Sequence, residues 1–205
     1  MSAALYPKLQ QYVEARIKEF DSIPKTRKAN LKALSDYIQS KMESAGEVSL
    51  NFICTHNSRR SHLTQIWAAV AASYFEVSAL KTFSGGTEAT AFNPNALAAL
   101  IQSGFQVKNP GGGNPKYEVS IAEQVDPMIC FSKTYDDDFN PPSGFGAIMT
   151  CSSADEACPT VTGADFRLAL NYLDPKEADG TLHESATYNE RCAQIAREML
   201  YVFTS

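Results

Sequence analysis

Residues 48–61, VSLNFICTHNSRRS, decide the fold that this chain can adopt. Apolar and polar side chains alternate from Val48 to Phe52, which is the pattern of a β-strand, and the apolar run extends to Cys54. Residues 61–74, SHLTQIWAAVAASY, follow, and we predict a helix there. The stretch therefore predicts a strand and a helix joined by a short polar loop.

The segment after this unit repeats the order of strand and helix. We predict a second strand at residues 77–83 and a second helix at 93–102, with Pro94 in its first turn and Gly104 as its stop. Two such units in succession imply a parallel sheet covered by crossover helices. The predicted fold class is α/β, three-layered, with a central and mainly parallel sheet of about four strands.

Two regions are added to this core. Residues 3–45 predict two amphipathic helices, because apolar side chains recur every three or four residues on either side of Pro24. Turn-rich loops, with strand candidates at 118–122 and 127–132, form an inserted strand and loop region over about 108–146.

These patterns divide the chain into an N-terminal helical extension, residues 1–46, and a main domain, residues 47–205. The main domain ends with a predicted strand at 147–151 and a predicted helix from about 184 to 203. We expect the extension to cover the domain, although packing on a second subunit or binding a partner stays open.

Composition and charge exclude several classes of protein. The chain has 205 residues, of which 44% are hydrophobic and 20% charged, which suits one domain with a sizeable core. A net charge of −5 argues against a nucleic-acid-binding protein. We expect a cytoplasmic protein, because no apolar run approaches the roughly 20 residues of a membrane span and no signal peptide is evident. Five cysteines are too few for a disulfide scaffold, which leaves catalytic, redox or buried thiols.

The loop from Cys54 to Ser61 has the composition of an oxyanion-binding site. A tight loop between a strand and a helix directs backbone N–H groups inward, with the positive helix end behind them. Such a cradle fits phosphate, or arsenate, which has nearly the same shape and charge. The same positive field favours the thiolate form of Cys54, which makes it a nucleophile. The planar guanidinium of Arg60 can bind two oxygens of the anion and balance their charge.

The remaining loop residues support these two. Ser61 can donate a hydrogen bond to the sulfur, and Asn57 can fix the loop backbone through its amide. We predict that the substrate is bound by the loop residues Thr55, His56, Asn57, Ser58, Arg59 and Arg60. The histidines show no metal-ligand spacing with cysteines or carboxylates, so we propose no metal and no cofactor.

The loop and its flanks resemble those of the low-molecular-weight protein tyrosine phosphatases and of the thioredoxin-coupled arsenate reductases that share their fold. Residues 84–88 (SGGTE) and 93–96 (NPNA) are similar to the end of the family's second strand and the start of its second helix. The resemblance covers about residues 47–203, and it implies that residues 47–205 form a phosphatase-like oxyanion-binding catalytic domain. The family's loop pattern is C-x-x-N-x-x-R-S, which is matched here by Cys54, Asn57, Arg60 and Ser61.

This resemblance also implies a general acid. The oxygen that leaves when sulfur attacks must be protonated, and in both families an aspartate just before a proline supplies the proton. Asp174 precedes Pro175 and fits that role. The tyrosine phosphatases usually carry a tyrosine next, whereas Lys176 follows here, and this departure weakens the tyrosine phosphatase interpretation.

Two further cysteines favour reduction over hydrolysis. Cys151 and Cys158 are separated by six residues, at the end of a predicted strand and through a predicted short helix. A disulfide requires Cα atoms within about 7 Å, so their pairing requires the helix to unwind. The reductases carry this C-x6-C-P segment at the corresponding place. Their catalytic aspartate lies sixteen positions beyond the second cysteine, as Asp174 does here.

The function implied by the resemblance is the reduction of arsenate to arsenite. Cys54 attacks arsenate while Asp174 protonates the leaving oxygen, and Cys151 then attacks Cys54 to release arsenite. Cys158 carries the oxidation outward as a Cys151–Cys158 disulfide, with thioredoxin as the implied reductant.

Two alternatives stay open. A phosphatase of the same fold would hydrolyse phosphomonoesters through a Cys54–phosphate intermediate. A non-catalytic module would keep the loop as a phosphate receptor. Cys151 and Cys158 themselves have a second interpretation as core thiols, and we predict that Cys130 and Cys192 are core thiols.

Overall fold

A parallel sheet lies at the centre of the chain, whose computed structural model describes residues 4–204. Its four strands are β1 (Val48–Cys54), β2 (Leu80–Gly86), β6 (Phe145–Met149) and β7 (Ala164–Ala169), in the spatial order β2-β1-β6-β7. The predicted α/β fold with a central sheet of four strands is therefore confirmed.

The sheet is flanked by helices and accompanied by a small second sheet. The described helices are α1 (Pro7–Ile17), α2 (Lys25–Ala45), α3 (Arg60–Tyr74), α4 (Pro94–Ser103), α5 (Ser152–Ala157) and α6 (Glu184–Val202), with 3-10 turns at Phe20–Ser22 and Pro175–Ala178. The small antiparallel sheet joins β3 (Gln106–Lys108), β4 (Tyr117–Ser120) and β5 (Met128–Cys130). No helix within residues 4–204 is long and apolar enough to cross a membrane.

Two apolar clusters form the core. The larger one includes Leu50 and Phe52 of β1 and buries apolar side chains of α1, α2, α3, α4 and α6. The smaller one includes Ile53 of β1, Met149 of β6 and Ala154 of α5. The sheet is thus covered on both faces, as a parallel sheet requires.

The second strand begins three residues later than predicted, at Leu80 instead of residue 77. The reason is the end of α3, where Glu76 adopts a left-handed backbone with φ of +60°. The Val77 N–H then donates to the Ala72 carbonyl, 2.8 Å away, so the chain is still closing the helix at that point.

The fourth strand was missed and the third was misplaced. We predicted no strand at Ala164–Ala169, whose side chains are mostly half exposed because β7 is the edge of the sheet. The strand predicted at 147–151 runs from Phe145 to Met149, and Cys151 instead caps the N-terminus of α5. The strand candidates at 118–122 and 127–132 shorten to β4 and β5 and lie outside the central sheet.

The N-terminal helices share the core of the rest of the chain. Leu9 of α1 and Leu31 of α2 are fully buried in the larger cluster. The backbone of α1 also lies against Gly104, where an added Cβ would come within 2.4 Å of the Leu9 nitrogen. Residues 4–46 therefore pack as part of one body with the sheet and its helices.

Candidate active site

The oxyanion loop lies at the carboxyl end of the central sheet, between the last residue of β1, Cys54, and the first residue of α3, Arg60. The neighbouring strand β2 ends at Gly86, directly against this loop. A Cβ atom at Gly86 would lie 2.6 Å from the Thr55 carbonyl oxygen and 2.7 Å from the Asn57 nitrogen. Only glycine fits there, because the loop backbone occupies the space that a side chain would need.

Asn57 holds the loop in shape. Its backbone is left-handed, with φ of +43°. Its side-chain oxygen accepts from the Lys133 N–H at 3.0 Å, and its Nδ2 donates to Ser61 Oγ at 2.9 Å. The Lys133 amide can only donate, so this contact also fixes which end of the Asn57 amide is which.

Ser61 is the immediate neighbour of the Cys54 sulfur, with 3.1 Å between Oγ and Sγ. Since Ser61 Oγ already accepts from Asn57, its own O–H is free to point at the sulfur. A hydrogen bond in that direction stabilises a thiolate. The hydrogen bonds from the Lys133 N–H to Asn57 and from Asn57 to Ser61 thus fix the orientation of the serine hydroxyl.

The guanidinium of Arg60 makes two hydrogen bonds within residues 4–204, and its buried Nε makes none. Nη2 donates to Asp174 Oδ2 at 2.6 Å, and Nη1 donates to the Tyr172 carbonyl at 3.2 Å. Its Nε is buried and has no hydrogen-bond partner among the described residues. Buried donors without partners are costly, so an oxyanion beside Nε would supply the missing acceptor.

Arg59 forms a second ion pair next to the first. Its Nε donates to the Tyr188 hydroxyl at 2.7 Å, and its Nη2 lies 3.2 Å from Asp179 Oδ2. The Tyr188 hydroxyl in turn donates to Asp179 Oδ1 at 2.7 Å. Burial, together with that hydrogen bond, raises the pKa of Tyr188 to about 12, so the phenol stays protonated.

The other predicted binding residues lie on the loop with different exposure. His56 Nε2 is 3.2 Å from Glu88 Oε1 at the solvent-facing rim. Ser58 Oγ turns away and donates to the Ala91 carbonyl at 2.7 Å. Thr55 Oγ1 is 3.5 Å from Cys151 Sγ. A small cleft at this place is lined by Cys54, His56, Ser58, Arg59, Arg60 and Asp174.

Three of the five cysteines meet at this end of the sheet. Cys54 and Cys151 are both buried in the smaller apolar cluster, and Cys158 packs against it with partial exposure. Strand register explains the approach, because Ile53 of β1 lies opposite Met149 of β6, so Cys54 and Cys151 follow on neighbouring strand ends.

The other two cysteines belong to the larger cluster. Burial raises the pKa of Cys130 to about 12 and also raises the pKa of Cys192, whose sulfur accepts from Trp67 Nε1 at 3.2 Å. Both are therefore protonated and enclosed, which separates them from the other three.

Comparison with known proteins supports one family, although no family model matches the sequence. Arsenate reductases from Bacillus licheniformis and Bacillus subtilis are each 26% identical to the chain, over 143 and 140 residues; these alignments cover 70% and 68% of this chain and 85% and 83% of the relatives. The low-molecular-weight protein tyrosine phosphatase from T. tengcongensis has the same fold, with a TM-score of 0.52 at 13% identity over 77% of this chain and 99% of that one. A low-molecular-weight phosphotyrosine phosphatase from Vibrio cholerae O395 matches with a TM-score of 0.50 at 14% identity, over 75% and 93%.

The chain is similar in sequence to the arsenate reductases and has the fold of the low-molecular-weight protein tyrosine phosphatases.

Several neighbours of the loop were not predicted from the sequence. Asp179 and Tyr188 hold Arg59, and Ser132 Oγ donates to the His56 carbonyl at 2.9 Å. No spacing signals these contacts, because they join segments that are 76 to 129 residues apart along the chain.

Proposed function

We propose that the protein is an arsenate reductase that works through Cys54, Cys151 and Cys158. The observation that carries the proposal is that these three thiols share one apolar cluster at the oxyanion loop, while the other two cysteines lie in a different cluster. Reduction needs a second and a third thiol near the nucleophile, whereas hydrolysis needs only water.

The first step uses the residues around the loop. The Cys54 thiolate attacks arsenic, a sulfur–arsenic bond forms, and one oxygen leaves as water after taking a proton from Asp174. Arg60 and the loop N–H groups neutralise the negative charge of the oxyanion. The hydroxyl of Ser61 stabilises the sulfur both when it attacks and when it leaves.

The second step reduces arsenic. The Cys151 thiolate attacks the sulfur of Cys54, a Cys54–Cys151 disulfide forms, and the electron pair of the broken sulfur–arsenic bond remains on arsenic, which leaves as arsenite. Cys158 then attacks Cys151, the Cys151–Cys158 disulfide forms, and Cys54 departs as a thiolate. A dithiol protein of the thioredoxin type would take up this oxidation by exchange.

The last exchange requires α5 to open. Cys151 and Cys158 bracket this helix, and seven helical steps separate their Cα atoms by about 10 Å, against the roughly 7 Å that a disulfide tolerates. The two sulfurs can meet only when α5 unwinds. The partial exposure of Cys158 would let a protein reductant reach the finished disulfide. Such a relay suits a reducing, cytoplasmic compartment.

A phosphatase is the second candidate, because Cys54, Arg60 and Asp174 already line one cleft without help from the other cysteines. It would act on phosphomonoesters through a Cys54–phosphate intermediate that water hydrolyses. A non-catalytic phosphate receptor would bind the anion at the same loop and turn over neither substrate.

The test compares arsenate reduction with thioredoxin, and aryl phosphate hydrolysis, in wild type, Cys151→Ser and Cys54→Ser. We expect Cys151→Ser to lose reduction and to keep any hydrolysis, and Cys54→Ser to lose both. Cys130→Ser is the matched control and should keep both. Robust hydrolysis without arsenate turnover in wild type would replace the proposal by the phosphatase, and phosphate binding without either activity would favour the receptor.

A thiol count gives an independent check. Addition of arsenate without a reductant should remove two thiols from wild type, and peptide mapping should find them as a Cys151–Cys158 pair. A count that stays at five free thiols would contradict the relay.

A further inference from the structure

Arg167 of strand β7 makes three contacts with helix α5 and its end. Its Nε donates to the Cys158 carbonyl at 3.1 Å, and its Nη2 donates to the Asp155 carbonyl at 2.8 Å. The same Nη2 forms an ion pair with the Asp155 carboxylate. Both side chains are about three-quarters buried, which shields the pair from solvent.

These contacts satisfy groups that a short helix leaves unpaired. The last carbonyls of any helix have no partner within it, and α5 has only six residues. A helix of that length has little stability of its own, because nucleation is costly and few bonds follow. A cation at the C-terminal end also interacts favourably with the helix dipole. Arg167 therefore adds to the N-cap at Cys151 and the burial of Ala154 in keeping residues 152–157 helical.

Opening α5 must disrupt the same contacts. Pairing Cys151 with Cys158 shortens the distance between their Cα atoms from about 10 Å to below 7 Å, which moves the carbonyls of Asp155 and Cys158 relative to the rigid strand β7. The Arg167 contacts thus stabilise the dithiol form, and they are broken, wholly or in part, in the disulfide form.

We propose that Arg167 is a positioning residue that clamps α5 and thereby sets the redox potential of the Cys151–Cys158 pair. The inference rests on the proposed relay. In the step concerned, the Cys158 thiolate attacks Cys151 within the Cys54–Cys151 disulfide, a new sulfur–sulfur bond forms, and Cys54 leaves with the electron pair of the old one. Arg167 touches none of the three sulfurs and acts through the helix. The clamp favours the dithiol, so the disulfide that forms is easily reduced again.

The experiment measures the dithiol–disulfide equilibrium of the pair in the full chain. Cys54→Ser serves as the background, so that Cys54 cannot compete for Cys151. This protein and its Arg167→Gln derivative are equilibrated over a range of ratios of reduced to oxidised glutathione, quenched in acid and alkylated. Mass spectrometry then gives the fraction of the Cys151–Cys158 disulfide. We expect Arg167→Gln to shift the equilibrium at least tenfold toward the disulfide, which is about 30 mV more negative in potential.

Two further variants separate the clamp from a general loss of stability. Asp155→Asn removes the carboxylate and keeps both carbonyl contacts, so it should shift the equilibrium in the same direction by a smaller factor. Arg197→Gln removes a similar partly buried arginine–carboxylate pair, which joins Arg197 of α6 to Glu19. It should lower overall stability and leave the equilibrium unchanged, because α5 does not touch that pair.

The outcomes are distinguishable. An equilibrium that is unchanged, or shifted toward the dithiol, in Arg167→Gln overturns the clamp while the relay stands. If Arg167→Gln does not fold, Asp155→Asn becomes the test. An unchanged equilibrium in that variant then overturns the clamp. If the parent forms no Cys151–Cys158 disulfide at any glutathione ratio, the relay itself is wrong and the clamp falls with it.

Discussion

At the scale of single residues, Asn57 shows how the loop depends on a distant segment. Its amide joins the Lys133 backbone on one side to the Ser61 hydroxyl on the other. The hydroxyl then faces the Cys54 sulfur. The reactivity of the thiol therefore depends on a backbone N–H that lies 76 residues further along the chain from Asn57.

Two replacements of Asn57 should separate the contribution of its hydrogen bonds to stability from that of its left-handed backbone. Asn57→Ala leaves two buried partners unpaired, so we expect the free energy of unfolding to fall by about 2–4 kcal/mol. Asn57→Gly loses the same bonds and tolerates the left-handed backbone, so it should be about 1 kcal/mol more stable than the alanine variant. Urea unfolding measures both values. Equal stability of wild type and Asn57→Ala would show that the Asn57 hydrogen bonds do not stabilise the folded protein.

His62 is the buried titratable group of the helix that follows the loop. It is fully enclosed, stacks on Phe92 at 4.0 Å, and places Nδ1 3.2 Å from Ser84 Oγ. Burial, with the nearby Lys133 charge, lowers the pKa of His62 well below its usual value. The imidazole is therefore neutral in the folded protein near neutral pH.

This neutral histidine should make the fold sensitive to mild acid. As pH falls below about 6.5, the unfolded chain binds a proton at this residue that the folded chain does not, so stability present above that pH is progressively lost. The loss should reach roughly 2 kcal/mol at pH 5. In His62→Gln the decline should be shallower by that amount, measured as unfolding free energy between pH 7.5 and 5. His183→Gln, at an exposed position, is the control and should keep the wild-type slope.

Residue chemistry was easier to predict than residue partners. Cys54, Arg60 and Asp174 were predicted together, and they line one cleft. The types and spacing of Cys54 and Arg60 along a strand–loop–helix unit carry that information, whereas Asp174 was predicted from its place before Pro175 and the family resemblance. The pairing of Arg59 with Asp179 and Tyr188 could not be predicted in this way. It depends on how α6 packs beside the loop, and no local pattern encodes that packing.

At the scale of elements, the insertion after α4 supports the loop directly. Ser132 follows β5 and donates to the His56 carbonyl, while its oxygen accepts from the Thr90 N–H at 2.8 Å. Asn114 fixes the same residue through two hydrogen bonds to its backbone. The small sheet thus positions a polar support under the oxyanion loop.

Loss of this support should slow the chemistry more than it weakens the fold. Ser132→Ala removes one hydrogen bond that holds the His56 peptide, so we expect kcat/KM for arsenate to fall by roughly fivefold, the equivalent of about 1 kcal/mol. Steady-state kinetics of the proposed thioredoxin-coupled arsenate reduction provide the measurement. Ser143→Ala, in the same insertion but exposed, should behave as wild type. A Ser132→Ala enzyme with unchanged kinetics would show that the support is dispensable.

Elements with strong periodicity were predicted well, and edge elements were not. β1 and α3 were predicted to within one residue, because both are deeply buried and their patterns are continuous. β7 was missed because it combines charged and half-exposed residues. Asp165 of that strand accepts from the Tyr37 hydroxyl at 2.6 Å, so a contact with α2 stabilises it where its own sequence pattern is weak.

At the scale of the whole molecule, the N-terminal helices and the catalytic region form one apolar core. Leu9→Ala should lower the free energy of unfolding by about 2–5 kcal/mol, because it leaves a cavity in that core. The KM for arsenate should stay unchanged, since Leu9 belongs to the larger cluster and the cleft does not include it. Leu182→Ala is the matched control: the side chain is 101% exposed, and we expect a change within about 0.5 kcal/mol. Equal effects of the two substitutions would mean that α1 does not stabilise the body of the protein.

The ion pair between Arg60 and Asp174 has a consequence for how anions compete for the cleft. In the unliganded protein the arginine already holds a carboxylate, so an entering oxyanion exchanges one counter-charge for another. Binding is then a replacement reaction, whose affinity depends only weakly on ionic strength because little net charge is newly paired. Asp174 is the proposed proton donor, and the same exchange releases it from Arg60, so that it can take up the proton that it then passes to the leaving oxygen. A monovalent anion such as chloride brings no more charge than the carboxylate that it would displace, so we expect chloride to compete less well for the cleft than a doubly charged oxyanion.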